Sequence, residues 1–294
     1  MKPKRHPKRT KKKDSSTRRK IISDQNNTFN QKMNNNPVQF GNISFFYVNV
    51  PMIELDSCVG VFISQEPDVL EATTGCETPN CYHVFGQSPQ GTKYLFKCKE
   101  LSNCLMRNCC PSGLREFFME IKHISSGNID NPKNSKELAI LDKPFKLPMF
   151  CFCRPELKVK LIKGNVNAGN VLHIYTMLDP EFEVYDGNNQ LKYIVTADCC
   201  QCGLLCSKNI CGKLKEVIFN IMGPGEGQII GQIIRKKATG MELITDADSY
   251  QVFFPSMSNA NDKLLIISLA ILIDYIYFEM DERKKNKKTR HFRH

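Results

Sequence analysis

Two carboxylates one residue apart, Asp246 and Asp248, are the residues of this sequence best suited to hold a hard metal cation. On an extended loop, both side chains can face the same ion while main-chain carbonyls complete its shell, which is the chemistry that calcium prefers. The alternative is that the two acids mark a turn before the strand-like segment that follows them. The sequence leaves both interpretations open.

Cysteines form the second group that could carry chemistry, since the chain holds 14 in 294 residues. The chain opens with basic residues and no apolar signal segment, so we expect reduced, metal-bound or acylated thiols rather than disulfides. Cys151 and Cys153, flanked by phenylalanines and Arg154, are candidate acylation sites or else buried thiols. Cys199, Cys202, Cys206 and Cys211 could hold zinc, although only the first pair has a common ligand spacing.

The elements that must position these residues are short runs rich in β-branched and aromatic residues, separated by turn signals such as Asp186-Gly187. About a dozen such runs without helical periodicity between them predict an antiparallel all-β sandwich or barrel. The clearest predicted strands are residues 92–98, 157–162, 171–176, 181–185, 191–196, 217–222, 228–234, 241–245 and 250–254.

One segment breaks this pattern. Residues 264–278, LLIISLAILIDYIYF, are apolar on every side of a helix apart from Ser268 and Asp274. Such a helix must be buried in protein or in lipid, and its length of about 22 Å falls short of a bilayer core of about 30 Å. We expect a core helix, with membrane insertion as the alternative. The residues that define it are Leu264, Leu265, Ile266, Ile267, Leu269, Leu272, Ile273, Asp274, Tyr277 and Phe278.

Charge is concentrated at the two ends of the chain. Residues 1–20 carry +10 and residues 281–294 carry +5, which leaves −4 for residues 21–280 out of a total of +11. This distribution excludes a uniformly basic nucleic-acid-binding domain and makes nucleic acid an unlikely partner. We predict a disordered arm over residues 1–40, a folded domain over 41–280 and a disordered tail over 281–294, with both ends attracted to anionic lipids.

Several ordered blocks make residues 50–280 resemble the phospholipid scramblase family. They are TGCET at 74–78 followed by Tyr82, RNCC at 107–110, CFC at 151–153, GQIIRKK at 231–237 with Thr239-Gly240, TDAD at 245–248, Phe254-Pro255, and LIDYIYFE at 272–279. The family is similar in fold to the tubby C-terminal domain. The resemblance therefore implies a mainly β, closed antiparallel barrel of about twelve strands around a central apolar C-terminal helix.

The resemblance also implies site residues. A calcium-binding loop of the family would place its ligands at Asp246, Asp248, Tyr250, Val252, Phe254 and Met257, and Cys151 with Cys153 would be palmitoylated. This sequence departs from the family at Met257, where an acid is usual. Without that acid we expect weak calcium binding, in the range of about 10⁻⁴–10⁻³ M or poorer.

From the resemblance we expect a calcium-responsive phospholipid scramblase that moves lipids between bilayer leaflets without ATP. We expect no enzyme chemistry, because no catalytic constellation emerges: His83, His123 and His173 each stand alone in strand-like context. The alternative is a membrane-associated tubby-like module that binds lipid or protein and scrambles nothing. The expected location is the cytoplasmic face of the plasma membrane, with the nucleus as an alternative, and the sequence leaves homo-oligomerisation open.

Overall fold

The computed structural model describes residues 50–66, 78–102, 107, 115–124, 135–146, 154–174, 176, 179–199, 201, 216–225, 227–236 and 249–278. The chain divides into two units, residues 1–47 and 48–294, and all of the described residues belong to the second. The predicted basic arm and tail lie outside the described residues, as does the predicted strand at 241–245.

Twelve strands make up most of the described structure. They are β1 (Gly60–Gln65), β2 (Cys81–Ser88), β3 (Gly91–Glu100), β4 (Phe117–Ile124), β5 (Ser135–Lys143), β6 (Glu156–Leu161), β7 (Val166–Ile174), β8 (Glu181–Asp186), β9 (Leu191–Thr196), β10 (Val217–Met222), β11 (Ile229–Lys236) and β12 (Ser249–Phe253). The helices are α1 (Val50–Asp56), a 3₁₀ turn (Lys163–Asn165) and α2 (Ala260–Ile273), which continues as a π-helical segment (Asp274–Phe278).

The strands close into one antiparallel barrel. Each strand pairs with its neighbours in the sequence, and β1 pairs with β12 from Gly60↔Phe253 to Ser64↔Ser249, which completes the circle. The predicted fold class is therefore confirmed: a closed antiparallel barrel of about twelve strands with an apolar C-terminal helix. The likeness to the tubby domain stays a prediction.

The alternation of buried and exposed side chains along the strands explains how the barrel acquires an apolar interior. In β4, Phe117, Met119 and Ile121 are fully buried, whereas Phe118 and Glu120 between them are not. Because successive side chains of a strand point to opposite faces, this pattern directs one apolar row inward. The inward rows of the other strands follow the same pattern and merge into one core.

Helix α2 fills that core. Its residues from Asp262 to Ile273 are all buried, and its side chains reach tyrosines of β2, β9 and β12. A helix that is apolar on every side can be stable in this setting because the barrel surrounds it. Among the described residues, no helix combines the length and the apolar character needed to cross a bilayer.

The helix begins at Ala260, four residues before the predicted apolar segment. Asn259 explains the difference, because its side chain accepts a hydrogen bond from the Asp262 main-chain N–H while the Asp262 carboxylate accepts one from the Asn259 N–H. This capping box satisfies N–H groups that the first turn of a helix leaves unpaired. The prediction had followed the apolar residues alone, which begin one turn later.

Candidate functional site

The buried carboxylate of Asp274 lies where α2 passes into its π-helical segment. It accepts hydrogen bonds from the phenolic groups of Tyr82 and Tyr250, each with an O–O distance of 2.6 Å. All three residues are at most 1% exposed. Short hydrogen bonds to an ionised acceptor are among the stronger ones in proteins, so this pair of donors can hold a carboxylate away from water.

The sheet explains why these two tyrosines meet one acid. β1 lies between β2 and β12, and Ile63 of β1 pairs with Tyr250 while Gln65 pairs with Tyr82. Both tyrosines occupy buried positions in the alternation of their strands, so both project into the barrel. Asp274 thus faces the part of the wall where the barrel closes.

The next residue of the helix is bound to a different part of the wall. The Tyr275 hydroxyl donates to Glu100 Oε2 at 2.7 Å, and the main-chain N–H of Asn80 donates to the same oxygen at 2.9 Å. Glu100 Oε1 lies 3.3 Å from Arg115 Nη2, and neither side chain of this ion pair is exposed. The carboxylate of Glu100 therefore joins the carboxyl end of β3, and the residues just before β2 and β4, to the helix.

Packing adds to these polar contacts. The Tyr275 ring stacks on Phe117 with centroids 4.2 Å apart, and the Arg115 guanidinium lies 5.4 Å from the Tyr275 centroid. Lys143 donates to the Arg115 carbonyl at 2.7 Å. We call Asp274, Tyr275, Tyr82, Tyr250, Glu100 and Arg115 the anchor cluster.

The anchor cluster and the adjacent Lys143, which donates to the Arg115 carbonyl, together balance buried charge. Two carboxylates, Asp274 and Glu100, and two cations, Arg115 and Lys143, are each at most 1% exposed. Burying a charge is expensive unless it is paired and hydrogen-bonded, and deleting one partner of such a pair typically costs about 3–5 kcal/mol. The cluster therefore fixes the depth and rotation of the helix inside the barrel.

A neutral pair lies farther along the same segment. His173 Nε2 and the Tyr277 hydroxyl are 2.8 Å apart, and the rings pack edge to face. Burial, with a smaller effect from the nearby Arg154, lowers the pKa of His173 to about 4. Burial also raises the pKa of Tyr277 to about 12, so both side chains are neutral near pH 7.

The amino-terminal end of α2 is held as well. The Tyr193 hydroxyl donates to Asp262 Oδ2 at 3.3 Å, and Lys192 Nζ lies 3.8 Å from the same oxygen. Lys263 donates to the carbonyl of Asp56, the last residue of α1. Both ends of the helix are thus attached to groups outside it.

The predicted calcium ligands are only partly within the described residues. Tyr250 and Val252 are buried in β12 and Phe254 follows it, whereas the side chain of Met257 is 94% exposed. Asp246 and Asp248 lie outside the described residues. The Tyr250 hydroxyl is bound to Asp274, so the described residues of the set offer calcium no free side-chain oxygen. Calcium binding therefore depends on Asp246 and Asp248 and stays a prediction.

Cys151 and Cys153 also lie outside the described residues, and their acylation stays a prediction. Of the predicted zinc cluster only Cys199 is described, as a cysteine outside any disulfide. The predicted residues of the apolar helix are all described, and all but the partly buried Tyr277 are buried.

Sequence reasoning missed Glu100, Arg115 and the role of Tyr82. Charged residues at strand ends are usually solvated, so the sequence offers no signal that Glu100 and Arg115 pair inside the barrel. Tyr82 and Tyr250 did carry a signal, because each occupies an inward position in a strand and a buried phenol requires a partner.

Comparison with known proteins places this architecture in a family. The Scramblase family model matches residues 45–280, which include the barrel, the helix and the anchor cluster. The chain belongs to the Scramblase family. The resemblance predicted from the sequence motifs is thus confirmed.

Curated relatives agree with that assignment. The chain is 27% identical over 223 residues to phospholipid scramblase 1 of Rattus norvegicus, covering 74% of this chain and 59% of the relative. It is 28% identical over 232 residues to phospholipid scramblase 1 of Homo sapiens, covering 77% and 65%. It is 27% identical over 225 residues to phospholipid scramblase 2 of Bos taurus, covering 75% and 68%. The chain thus spans about three fifths to two thirds of these proteins, and no solved structure matches it.

Proposed function

We propose that this protein moves phospholipids between the two leaflets of a bilayer without breaking a covalent bond and without ATP. The observation that carries the proposal is the match of the Scramblase family model to residues 45–280, the whole of the described barrel and helix. The relatives named above are phospholipid scramblases by name. A phospholipid membrane is therefore the proposed substrate and partner.

The geometry favours a mechanism in which α2 stays inside the barrel. Eight leucines and isoleucines of α2 are at most 1% exposed. Exposing such side chains costs about 1.5–3 kcal/mol each, or roughly 12–24 kcal/mol for eight. A lipid phase could rebury the helix, but the emptied barrel wall would lose the same contacts. We therefore propose that the barrel and its helix act on lipids as one unit.

We propose that Asp246 and Asp248 give the activity a calcium response. Carboxylates are the hard oxygen ligands that suit this ion. The two acids precede β12 directly, and Tyr250 in that strand binds Asp274 of the helix. A calorimetric titration of the Asp246→Asn, Asp248→Asn double variant should lose the heat seen with the unmodified chain at millimolar calcium. Asp142→Asn, which removes an acid from β5, is the matched control and should keep it.

Attachment to the membrane is proposed to use acyl chains on Cys151 and Cys153 together with the basic ends of the chain. Two acyl chains anchor a protein where one gives only marginal binding. Each basic residue near an anionic surface adds about 1 kcal/mol of attraction. These features support a position on the cytoplasmic face of a membrane.

The test is reconstitution in liposomes that carry a fluorescent phospholipid in both leaflets. A membrane-impermeant reductant bleaches about half of the fluorescence in protein-free vesicles, because only the outer leaflet is accessible. With the protein present, we expect the reductant to bleach well over half of the fluorescence. After heat denaturation of the protein, the bleached fraction should return to about half. If bleaching stops at half of the fluorescence although the protein is folded and associated with the vesicles, the result would contradict scramblase activity.

That negative result would favour the second candidate, a membrane-associated module that binds lipid or protein. The observation that favours it is the attachment of α2 at both ends, through Lys263 and Asp262 at one end and the anchor cluster at the other. A helix held in this way suits a rigid binding domain. Flotation with anionic vesicles, without any bleaching beyond half, is its expected signature.

A further inference from the structure

Three metal-ligating side chains meet on the outer wall of the barrel, apart from the anchor cluster and the predicted calcium residues. Each of Glu66, Cys81 and His83 offers one ligand atom, and these atoms all lie within 4.8 Å of one another. The His83 Nε2 to Glu66 Oε2 distance is 3.4 Å. No role proposed above uses these residues.

The strand ladder brings the three together. Glu66 follows β1, and its main-chain N–H donates to the Cys81 carbonyl at 2.7 Å, so it extends the β1–β2 pairing by one residue. Cys81 and His83 are two residues apart in β2, on either side of the inward-facing Tyr82. Side chains at i and i+2 of a strand share a face, so both point outward beside Glu66.

A second contact orients the imidazole. His83 Nδ1 lies 2.8 Å from the Tyr94 hydroxyl, and the two rings are in contact. When Nδ1–H donates to that oxygen, Nε2 carries the lone pair and faces Glu66. Histidines that bind metals almost always engage their other ring nitrogen in this way.

We propose that Glu66, Cys81 and His83 form a binding site for a first-row divalent cation of the zinc type, with a fourth coordination position open. Thiolate, imidazole and carboxylate are the ligands that zinc takes, and three protein ligands with one open position is a known arrangement for it. At ordinary zinc–ligand distances, the edge between N and O of a tetrahedron is about 3.4 Å. The observed His83 to Glu66 distance matches that edge.

The charges at the site are compatible with such an ion. On binding, the Cys81 thiol loses its proton to solvent, and thiolate plus carboxylate neutralise the two positive charges of the metal. Burial, and then the hydrogen bond to Glu66, raise the pKa of Cys81 to about 12, while Lys97 and Lys99 act in the opposite direction. Lys97 and Lys99 favour the thiolate but also repel the cation.

This site is distinct in chemistry from the proposed calcium response. Calcium takes oxygen ligands, whereas thiolate and imidazole select softer ions. Metal binding at this site is also independent of the proposed scramblase activity, since it is measured without lipid.

The experiment uses the full chain, purified with a thiol reductant and stripped of metal, and titrated with Co²⁺ and then with Zn²⁺. We expect one equivalent of Co²⁺ to produce a thiolate-to-metal charge-transfer band that Zn²⁺ abolishes. Cys81→Ser and Glu66→Gln should each lose either the charge-transfer band or the tight binding of one equivalent of Co²⁺. Tyr94→Phe should keep the site but weaken it by about 10–100-fold, because it removes only the partner of His83.

Cys199→Ser is the matched control. Cys199 is another described cysteine outside any disulfide, and it also belongs to the cysteine group named above as a possible zinc site. It should retain the band unchanged. Binding by Cys81→Ser and Glu66→Gln equal to that of the unmodified chain would overturn the proposal, as would loss of the band in Cys199→Ser alone. The side chain of Glu66 is 52% exposed, so Glu66→Gln tests the site without disturbing the core.

Discussion

Asp274 joins the apolar helix to the barrel wall through two hydrogen bonds of 2.6 Å. A carboxylate within an otherwise apolar helix would be costly in either protein or lipid without partners. Tyr82 and Tyr250 supply those partners from two strands that flank the closing strand β1. The two hydroxyls therefore allow an acid to occupy this position, and the acid in turn specifies which part of the wall the helix faces.

We expect Tyr82→Phe and Tyr250→Phe each to lower the free energy of unfolding by about 1.5–3 kcal/mol, because each removes a hydrogen bond to a buried charged group. The double variant leaves the Asp274 carboxylate without either phenol and should lose about 3–5 kcal/mol. Urea denaturation followed by circular dichroism measures all three changes.

Tyr185→Phe provides the control for this series. Its hydroxyl also donates to a carboxylate, Glu183 Oε2 at 2.7 Å, but the pair lies on the outside of β8. We expect a change within about 0.5 kcal/mol, as for most surface substitutions. Equal effects of the inner and outer tyrosine substitutions would show that the phenols do not stabilise Asp274.

His173 should make stability depend on pH. Its pKa of about 4 in the folded protein lies below the ordinary value of 6.5, so the unfolded chain binds more protons between these values. Its contribution is complete above about pH 6.5 and is lost as the pH falls towards 4, by up to about 3 kcal/mol. Chemical denaturation of the unmodified chain and of His173→Gln at pH 7.5 and pH 4.5 tests this. The variant should show a smaller loss, and parallel losses would refute the assignment.

At the scale of elements, β7 lies close to α2 at Gly169. This residue has φ +144°, a region that side chains rarely adopt. A Cβ there would lie 2.9 Å from Leu265 Cδ1 and closer still to the Tyr185 carbonyl oxygen. The strand can therefore approach both its neighbour and the helix only because it carries glycine at this point.

Gly169→Ala should lower the free energy of unfolding by about 2–4 kcal/mol, because backbone strain and overpacking each contribute about 1–3 kcal/mol. The matched substitution is Gly227→Ala, where a Cβ would meet no atom within 4 Å. It should be neutral within about 0.5 kcal/mol. Thermal denaturation of the two variants measures the difference, and similar melting temperatures would contradict a close contact at Gly169.

The local patterns of the sequence predicted much of this fold. The segments predicted at 191–196 and 217–222 coincide with β9 and β10, and those at 157–162 and 181–185 differ from β6 and β8 by at most one residue at each end. These strands alternate between buried and less buried residues over most of their length, which is a strong signal for a strand. The apolar helix is predicted because residues 264–278 are apolar on every side of a helix apart from Ser268 and Asp274.

Other elements lacked such a signal. β1, β2, β4 and β5 were not named individually, and α1 was missed because a seven-residue helix beginning VPMIE carries little periodicity. The partners of Asp274 and the Glu100–Arg115 pair depend on which strands close the barrel, and local patterns do not contain that information. Part of the cluster of Glu66, Cys81 and His83 could have been predicted from the sequence. If residues 81–83 form a strand, the side chains of Cys81 and His83 must lie on the same face.

For the whole molecule, the enclosed helix should be among its most protected parts. Amides of α2 can exchange with solvent only when the barrel opens around them. The free energy of opening measured by their hydrogen exchange should therefore equal the free energy of global unfolding. We expect deuterium uptake over residues 264–273 to be unchanged when anionic vesicles and calcium are added. Peptides from α1, where Ile53 is 55% exposed, should exchange much faster and serve as the internal reference.

Vesicle-induced uptake in 264–273, with other core strands still protected, would contradict the proposal that the barrel and helix act as one unit. It would instead indicate release of the helix towards the membrane. Lipid bleaching measured on the same samples shows whether the protein scrambles lipids, and deuterium uptake shows whether the helix is released. Scrambling with a protected helix and scrambling with a released helix are thus distinguished.

The closing pair of strands also has a consequence for biosynthesis. Val61 of β1 pairs with Val252 of β12, and the helix that fills the interior follows only after that strand. During translation, eleven strands therefore leave the ribosome before the wall can close, and the helix that fills the interior emerges only after all twelve strands. Contacts between such distant parts of a chain form slowly. The nascent protein should consequently depend on chaperones that shield its apolar rows, and a premature stop just before Asn259 should yield an aggregating product that quality control degrades.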